Sequence, residues 1–130
     1  MAIKLIALDI DGTIVDGDNN ISPANEKAIR QVLSKGIQIA LVTGRHRDGT
    51  KKVMGTVGLD MKKTPLVLNN GALAYIGEEV VWKDLLSVDE ADEVIKFTTN
   101  IPGVATTIYQ PNHIHLHCNL PINRDWLIDR

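Results

Sequence analysis

Cysteine is almost absent. Cys118 is the single one in 130 residues, so no disulfide can close within the chain, and a reducing, cytoplasmic setting is expected. Long apolar runs are missing as well. None approaches the roughly 18 residues that span a bilayer, and the amino terminus lacks the basic-then-apolar layout of a secretory signal. A soluble protein with no membrane partner is expected. Charge of neither sign dominates. Fourteen Lys and Arg against sixteen Asp and Glu leave a net charge of −2, which offers no basic face to nucleic acid or an anionic membrane. No internal repeat or low-complexity stretch is visible, and the length suits one ordinary domain, or a small domain plus part of another.

What the sequence does have is concentrated near its start. Ile6-Ala7-Leu8-Asp9-Ile10-Asp11-Gly12-Thr13 is an apolar run that ends abruptly in two carboxylates one residue apart. From Ile3 to Leu8 only Lys4 interrupts the apolar residues, a pattern that predicts a strand buried on both faces of a parallel sheet. Asp9 and Asp11 then fall at its carboxyl end, the end that faces the ligand crevice in open α/β sheets, and Gly12 lets the backbone turn there.

The following segments repeat that design. Asp16 to Asn20 reads as a polar loop, and Ser22-Pro23 as an N-cap with the favoured first helical residue. Ala28, Ile29, Val32 and Leu33 share one helical face, and Lys35-Gly36 ends the helix. Ile37 to Val42 is a second apolar strand closed by Thr43-Gly44-Arg45, completing a βαβ unit with a right-handed crossover. Gly49, Gly55 and Gly58 weaken the next helix, although Val53, Met54 and Val57 give it a buried stripe. A third strand, Pro65 to Leu68, ends in Asn69-Asn70-Gly71. Asp9, Thr43 and Asn69 should therefore converge on one rim of one sheet. After Gly71 a hairpin is predicted around Gly77-Glu78. Ser87-Val88-Asp89-Glu90 is a capping box that opens a helix with Val88, Ala91, Val94 and Ile95 on its apolar face. Val104 to Tyr109 and His113 to Cys118 are β-like runs around Gln110-Pro111-Asn112. A boundary near Trp82 divides residues 1–82, a parallel-sheet core, from residues 83–130, an α+β appendage.

Two carboxylates separated by one residue suit phosphoryl transfer if the chain turns between them. One attacks phosphorus to give an aspartyl phosphate; the other protonates the leaving oxygen and then activates water. A phosphate dianion repels a carboxylate, so Mg²⁺ and neutral or cationic donors must offset that repulsion. Thr43, the Gly44 amide and Arg45 are suitable donors.

The stretch Asp9-Ile10-Asp11-Gly12-Thr13 resembles the first motif, D-x-D-G-T, of the haloacid dehalogenase-like (HAD) phosphatases. Thr43-Gly44-Arg45 resembles their second motif. Asn69-Asn70-Gly71-Ala72 is similar to the substrate-loop segment of the Cof-like, sugar-phosphatase branch, in which an α/β cap follows the third strand. The resemblance implies a partial Rossmann-like three-layer α/β core plus an incomplete α+β cap. It also implies a Mg²⁺-dependent phosphomonoesterase of small phosphorylated metabolites, with sugar phosphates the expected substrates. Asp9 would be the nucleophile and Asp11 the general acid/base, with Gly12, Thr43, Gly44, Arg45 and Asn70 on the phosphate or substrate. Mg²⁺ would be held by the Asp9 carboxylate and the Asp11 backbone carbonyl. Against the family pattern, the later lysine that steadies the phosphoryl group is not recognisable, nor is the later acidic pair that completes the Mg²⁺ shell. The sequence ends, at Trp126 to Arg130, inside what the family uses as its cap. The chain alone is therefore expected to be inactive or weak, and the competing expectation is a non-catalytic phosphate- or Mg²⁺-binding module.

Three further patterns have plainer readings. Gly44 and Gly49 have the G-x-x-x-x-G spacing of a phosphate loop, but Thr50-Lys51 reverses the order that motif needs. His113, His115 and His117 alternate as ligands on one strand face can, yet no carboxylate or thiolate stands at ligand spacing, so a polar strand face or a pocket lining is expected. Asp89, Glu90, Asp92 and Glu93 suit the first turns of a helix through its dipole. In the family's sheet the first strand is central, flanked by strands this sequence does not encode. An open apolar edge and a homo-oligomer formed through it are therefore expected.

Overall fold

The computed structural model describes residues 2–111 and 113–117. Asn112, Cys118 and Trp126 to Arg130 lie outside the described residues, with whatever was expected of them. The chain divides into two compact units, Met1–Lys83 and Asp84–Arg130.

The first unit is built on a mixed five-stranded sheet in the order β1-β2-β3-β4-β5. Strands β1 (Leu5–Leu8), β2 (Gln38–Val42) and β3 (Pro65–Leu68) are parallel, and their register sets Leu8 beside Leu41 and Val42 beside Val67. Crossovers through α1 (Pro23–Ser34) and α2 (Arg47–Val57) join them, and β4 (Leu73–Ile76) and β5 (Glu79–Lys83) add an antiparallel hairpin. This is the Rossmann-like α/β arrangement the alternating pattern predicts. The Ser22 hydroxyl accepts from the Asn25 amide, with Pro23 in the first turn, so α1 starts where its cap residue stands. At α2 the cap is His46, whose Nδ1 accepts from the Asp48 and Gly49 amides. The helix survives its glycines because Val53, Met54 and Val57 are fully buried beneath it, and Gly58 closes it in the left-handed conformation. Its Arg30 neighbour on α1 ties the two helices together, Nη2 donating to the Thr56 carbonyl at 2.8 Å.

The core runs from Ile10, Ile14 and Ile29 through Ile39, Leu41 and Leu66 to Leu73 and Tyr75. Burial pushes the Tyr75 hydroxyl pKa up, and the Arg47 guanidinium, 4.8 Å from the ring centroid, partly offsets this.

One expectation is corrected. The strand from Ile3 to Leu8 is not buried on both faces: Ile3 is 69% and Leu5 47% exposed. The cause is position, because β1 stands at the end of the sheet with a hydrogen-bonded neighbour on one side only. A cleft of about 200 Å³ opens between it and α1, lined by Ile6, Leu8, Ile29, Val32 and Ile39. The apolar composition that suggests a central strand here belongs to an edge.

In the second unit, α3 (Val88–Thr99) opens with a complete capping box. The Ser87 hydroxyl accepts from the Glu90 amide while the Glu90 carboxylate accepts from the Ser87 amide, which holds the Glu90 carboxyl below its ordinary range. Strands β6 (Thr106–Tyr109) and β7 (Ile114–His117) pair antiparallel. The Thr98 and Thr106 hydroxyls join α3 to β6. Of the apolar face expected of α3, Ala91 and Ile95 are half-buried while Val88 and Val94 are exposed. The His113 and His115 rings stack with centroids 6.3 Å apart.

Candidate active site

The parallel register brings the carboxyl ends of β1, β2 and β3 to one rim. Backbone bonds join the β2 and β3 tips: the Thr43 amide donates to the Val67 carbonyl at 2.9 Å, the Asn70 amide to the Thr43 carbonyl at 3.3 Å, and the Asn69 amide to the Arg45 carbonyl at 3.0 Å.

Between the two aspartates, Ile10 is fully buried, and its carbonyl accepts from the amides of Thr13, Ile14 and Val15. That single anchor folds the chain back on itself, and Gly12 completes the turn at φ 76°. Asp9 and Asp11 flank the anchor, and both are exposed. A spacing that would send them to opposite sides of a flat strand can serve one site because the strand ends at Leu8. The Thr13 hydroxyl donates to Asp9 Oδ2 at 3.3 Å.

Thr43 is buried, and its Oγ1 accepts from the Arg45 amide at 3.2 Å. Gly44 is exposed beside it, and a Cβ there would lie 2.8 Å from Asn70 Oδ1. A larger residue at this position would push the Asn70 amide aside. Asn69 and Asn70 both hold left-handed backbone, at φ 51° and 56°. Such backbone costs on the order of 1 kcal/mol per residue and gathers at functional loops, with asparagine among the residues that adopt it most readily.

Arg45 points inward. Its Nε donates to Asp11 Oδ2 at 2.9 Å, its Nη2 to Asp11 Oδ1 and to Asn19 Oδ1, each at 2.6 Å, and its Nη1 to the Gly49 carbonyl at 3.0 Å. The guanidinium is thus committed to the acidic tip of the rim. Asn19 and the Gly49 carbonyl are members of the site that sequence reasoning missed. Asn19 lies in a polar loop whose composition signals only a turn, and a backbone carbonyl leaves no mark in sequence.

The Asp9 carboxylate and the Asp11 backbone carbonyl are hard oxygen donors, the kind Mg²⁺ takes from one or two protein carboxylates with water and phosphate completing its shell. Among the described residues, no group of three His, Cys, Asp or Glu side chains is placed to hold a metal ion. The described side chains alone therefore do not make a closed metal site.

Parallel strands that end in carboxylates, a threonine and asparagines make this a Rossmann-like α/β protein with its polar groups at the carboxyl rim of the sheet. The chain belongs to the haloacid dehalogenase-like hydrolases, whose family model matches residues 6–121. It is 34% identical over 73 residues to phosphatase YwpJ of Bacillus subtilis, covering 56% of this chain and 25% of that protein. It is 32% identical over 75 residues to pyridoxal phosphate phosphatase YbhA of Escherichia coli, covering 58% and 26%. A haloacid dehalogenase-like hydrolase from B. subtilis superposes with a TM-score of 0.75 at 24% identity, over 95% of this chain and 41% of that one. The subclass IIB sugar phosphatase BT4131 superposes with a TM-score of 0.71 at 25% identity, over 87% and 43%. The chain therefore has a phosphatase lineage, and it spans less than half the length of each of these relatives. Among the described residues no helix is long and apolar enough to cross a membrane.

Proposed function

We propose that this chain carries the nucleophilic half of a Mg²⁺-dependent phosphomonoesterase that acts on small phosphorylated metabolites, sugar phosphates foremost. The observation that supports it is that the parallel tips of β1, β2 and β3 share one rim, with the β2 and β3 tips joined by backbone bonds, the β2 tip joined to Asp11 through Arg45, and Asp9 and Asp11 exposed. The names of relatives, one a sugar phosphatase and one a pyridoxal phosphate phosphatase, support the substrate class.

In this reading an Asp9 carboxylate oxygen attacks phosphorus, forming an aspartyl phosphate as the bond to the leaving oxygen breaks. Asp11 delivers a proton to that oxygen and then takes one from the water that releases phosphate. The Thr43 hydroxyl and the Gly44 amide donate to the phosphoryl oxygens, Gly12 lets the loop approach them, and Asn70 meets the remainder of the substrate. Mg²⁺, held by the Asp9 carboxylate and the Asp11 carbonyl, would offset the repulsion between nucleophile and dianion. The steadying lysine and the second acidic pair are not recognisable in the sequence, so the chain alone turns over weakly or not at all. A cytoplasmic setting belongs to the same reading.

Titration with Mg²⁺ and beryllium fluoride, followed by fluorine NMR, tests the site without requiring turnover. Saturable binding that disappears on Asp9→Asn is the expected result. Binding with no hydrolysis of any phosphate ester would favour the non-catalytic module, which the commitment of Asp11 to Arg45 recommends as the second reading. No binding at all would sink both.

The exposed apolar edge of β1 supports a homo-oligomer through strand pairing. Light scattering at micromolar concentration should show a dimer or larger species; a monodisperse monomer would remove this part of the reading.

A further inference from the structure

Strand β1 has opposite charge at its two ends. Lys4 stands before it and Asp9 and Asp11 after it, all three exposed. Among the described residues its only hydrogen-bonded neighbour is β2. The open side has a definite layout. The Lys4 carbonyl accepts from the Gln38 amide at 2.9 Å, so at Lys4, Ile6 and Leu8 the backbone groups face β2, and at Leu5 and Ala7 they face outward. Ile6 and Leu8 line the apolar cleft beside α1, and side-chain alternation puts Lys4 on their face of the sheet.

That layout selects among the ways a second copy can cover the edge. Parallel pairing of two β1 strands would set one acidic tip beside the other. Antiparallel pairing instead sets the basic start of each strand beside the acidic end of its mate. About a two-fold axis normal to the sheet each residue keeps its face, so outward-facing residues meet outward-facing ones. The register that uses the whole of β1 places Leu5 opposite the partner's Ala7, Ile6 opposite the partner's Ile6, and Leu8 opposite the partner's Lys4. The two clefts then adjoin through Ile6, and apolar surface of each is taken out of water.

Leu8 is one residue from Asp9, and the cleft reaches the site at Thr13, which lines it and donates to Asp9 Oδ2 at 3.3 Å. Opposed residues of a non-hydrogen-bonded antiparallel pair stand about 4.5 Å apart at Cα. The four-carbon stem of a lysine covers that gap and the one residue beyond it. We infer that the chain self-associates antiparallel along β1 with Ile6 on the two-fold axis, and that the partner's Lys4 supplies a cation to the phosphoryl group at Asp9. Arg45, the cation expected there from the sequence, is held by Asp11, so the charge of a phosphate dianion must be met from elsewhere. The inference rests on the phosphatase reading of the rim and on the open edge of β1.

Cross-linking and binding test its two halves separately. In a Cys118→Ser background, Ile6→Cys should form an intermolecular disulfide on mild oxidation, because the Cα separation at the axis lies within disulfide reach. Leu5→Cys and Ala7→Cys should each run as a monomer on non-reducing gels. Mixing those two chains should restore the cross-link, and since both positions are exposed this answer stands even if Ile6→Cys disturbs folding. A cross-link in Leu5→Cys or Ala7→Cys alone, or the absence of every cross-link, would overturn the pairing. Beryllium fluoride binding in the presence of Mg²⁺ then reads the lysine. Lys4→Met should weaken it by roughly tenfold or more, as the loss of a hydrogen bond to a charged group implies, and Asp9→Asn should abolish it. When these two variants are mixed in equal amounts, heterodimers join the intact Asp9 of one chain to the intact Lys4 of the other, and about a quarter of all sites should regain wild-type affinity. A mixture that regains nothing, with the cross-link present, would overturn the role of Lys4. If the wild-type chain binds no beryllium fluoride, the phosphatase reading fails and the role of Lys4 with it, while the cross-links still decide the pairing.

Discussion

Asp9→Asn is expected to bring Mg²⁺-dependent hydrolysis of p-nitrophenyl phosphate by this chain down to the uncatalysed background. Asparagine keeps the volume and an oxygen that can still accept from the Thr13 hydroxyl, so the β1 tip keeps its shape. What is lost is the negative oxygen that would form the bond to phosphorus. Removing a covalent nucleophile costs at least about a thousandfold, or ~4 kcal/mol of barrier, even where neighbouring donors remain. Because the starting rate is itself expected to be low, the sharper measurement is acid-quenched incorporation of labelled phosphate. Label should appear on the wild-type chain and be missing from Asp9→Asn. In Asp11→Asn it should persist, since that side chain acts on the leaving oxygen and the water rather than on phosphorus. Turnover or labelling that survives Asp9→Asn would remove Asp9 from the nucleophile's role.

Much of this site was legible in the sequence because its parts are local. A D-x-D-G-T run after an apolar strand carries its own turn, and T-G-R after the next strand needs only the βαβ register to reach it. The cap residues were equally plain at Ser22 and at the Ser87–Glu90 box, where the chemistry lies within four residues. What was not legible depends on partners distant in sequence. Arg45 looked like a phosphate donor by composition. Its direction is set by Asp11, 34 residues away, and by Asn19, 26 residues away. His46 as a helix cap was also unread, because histidine is not among the residues that usually cap. The burial of β1 was misjudged for a related reason, although its open edge was expected. Apolar content reports what a strand can pair with, and only the neighbours present decide whether it is buried.

That distinction between composition and surroundings leads to the largest stability effect expected. Leu41→Ala should destabilise the first unit by about 2–5 kcal/mol, the range for truncating a leucine where the packing cannot collapse around the cavity. Leu41 is 0% exposed on β2, between β1 and β3, with Leu8 and Leu66 as its register partners. A unit of this size holds roughly 4–12 kcal/mol in all, so the substitution removes a large fraction of it. Urea unfolding followed by tryptophan fluorescence and circular dichroism should show an earlier midpoint, and a variant that is already partly unfolded in buffer would lie at the upper end. Leu5→Ala is the informative control. Leu5 carries the same side chain one strand away, at 47% exposure on the edge, and truncation there should cost less than about 1 kcal/mol, since little buried contact is lost. If the two substitutions cost the same, the outer side of β1 is covered in solution, and repeating the comparison across protein concentration identifies the cover. A Leu5→Ala penalty that grows with concentration would mean a second copy of the chain pairs along β1. A penalty independent of concentration would place the cover within the same molecule.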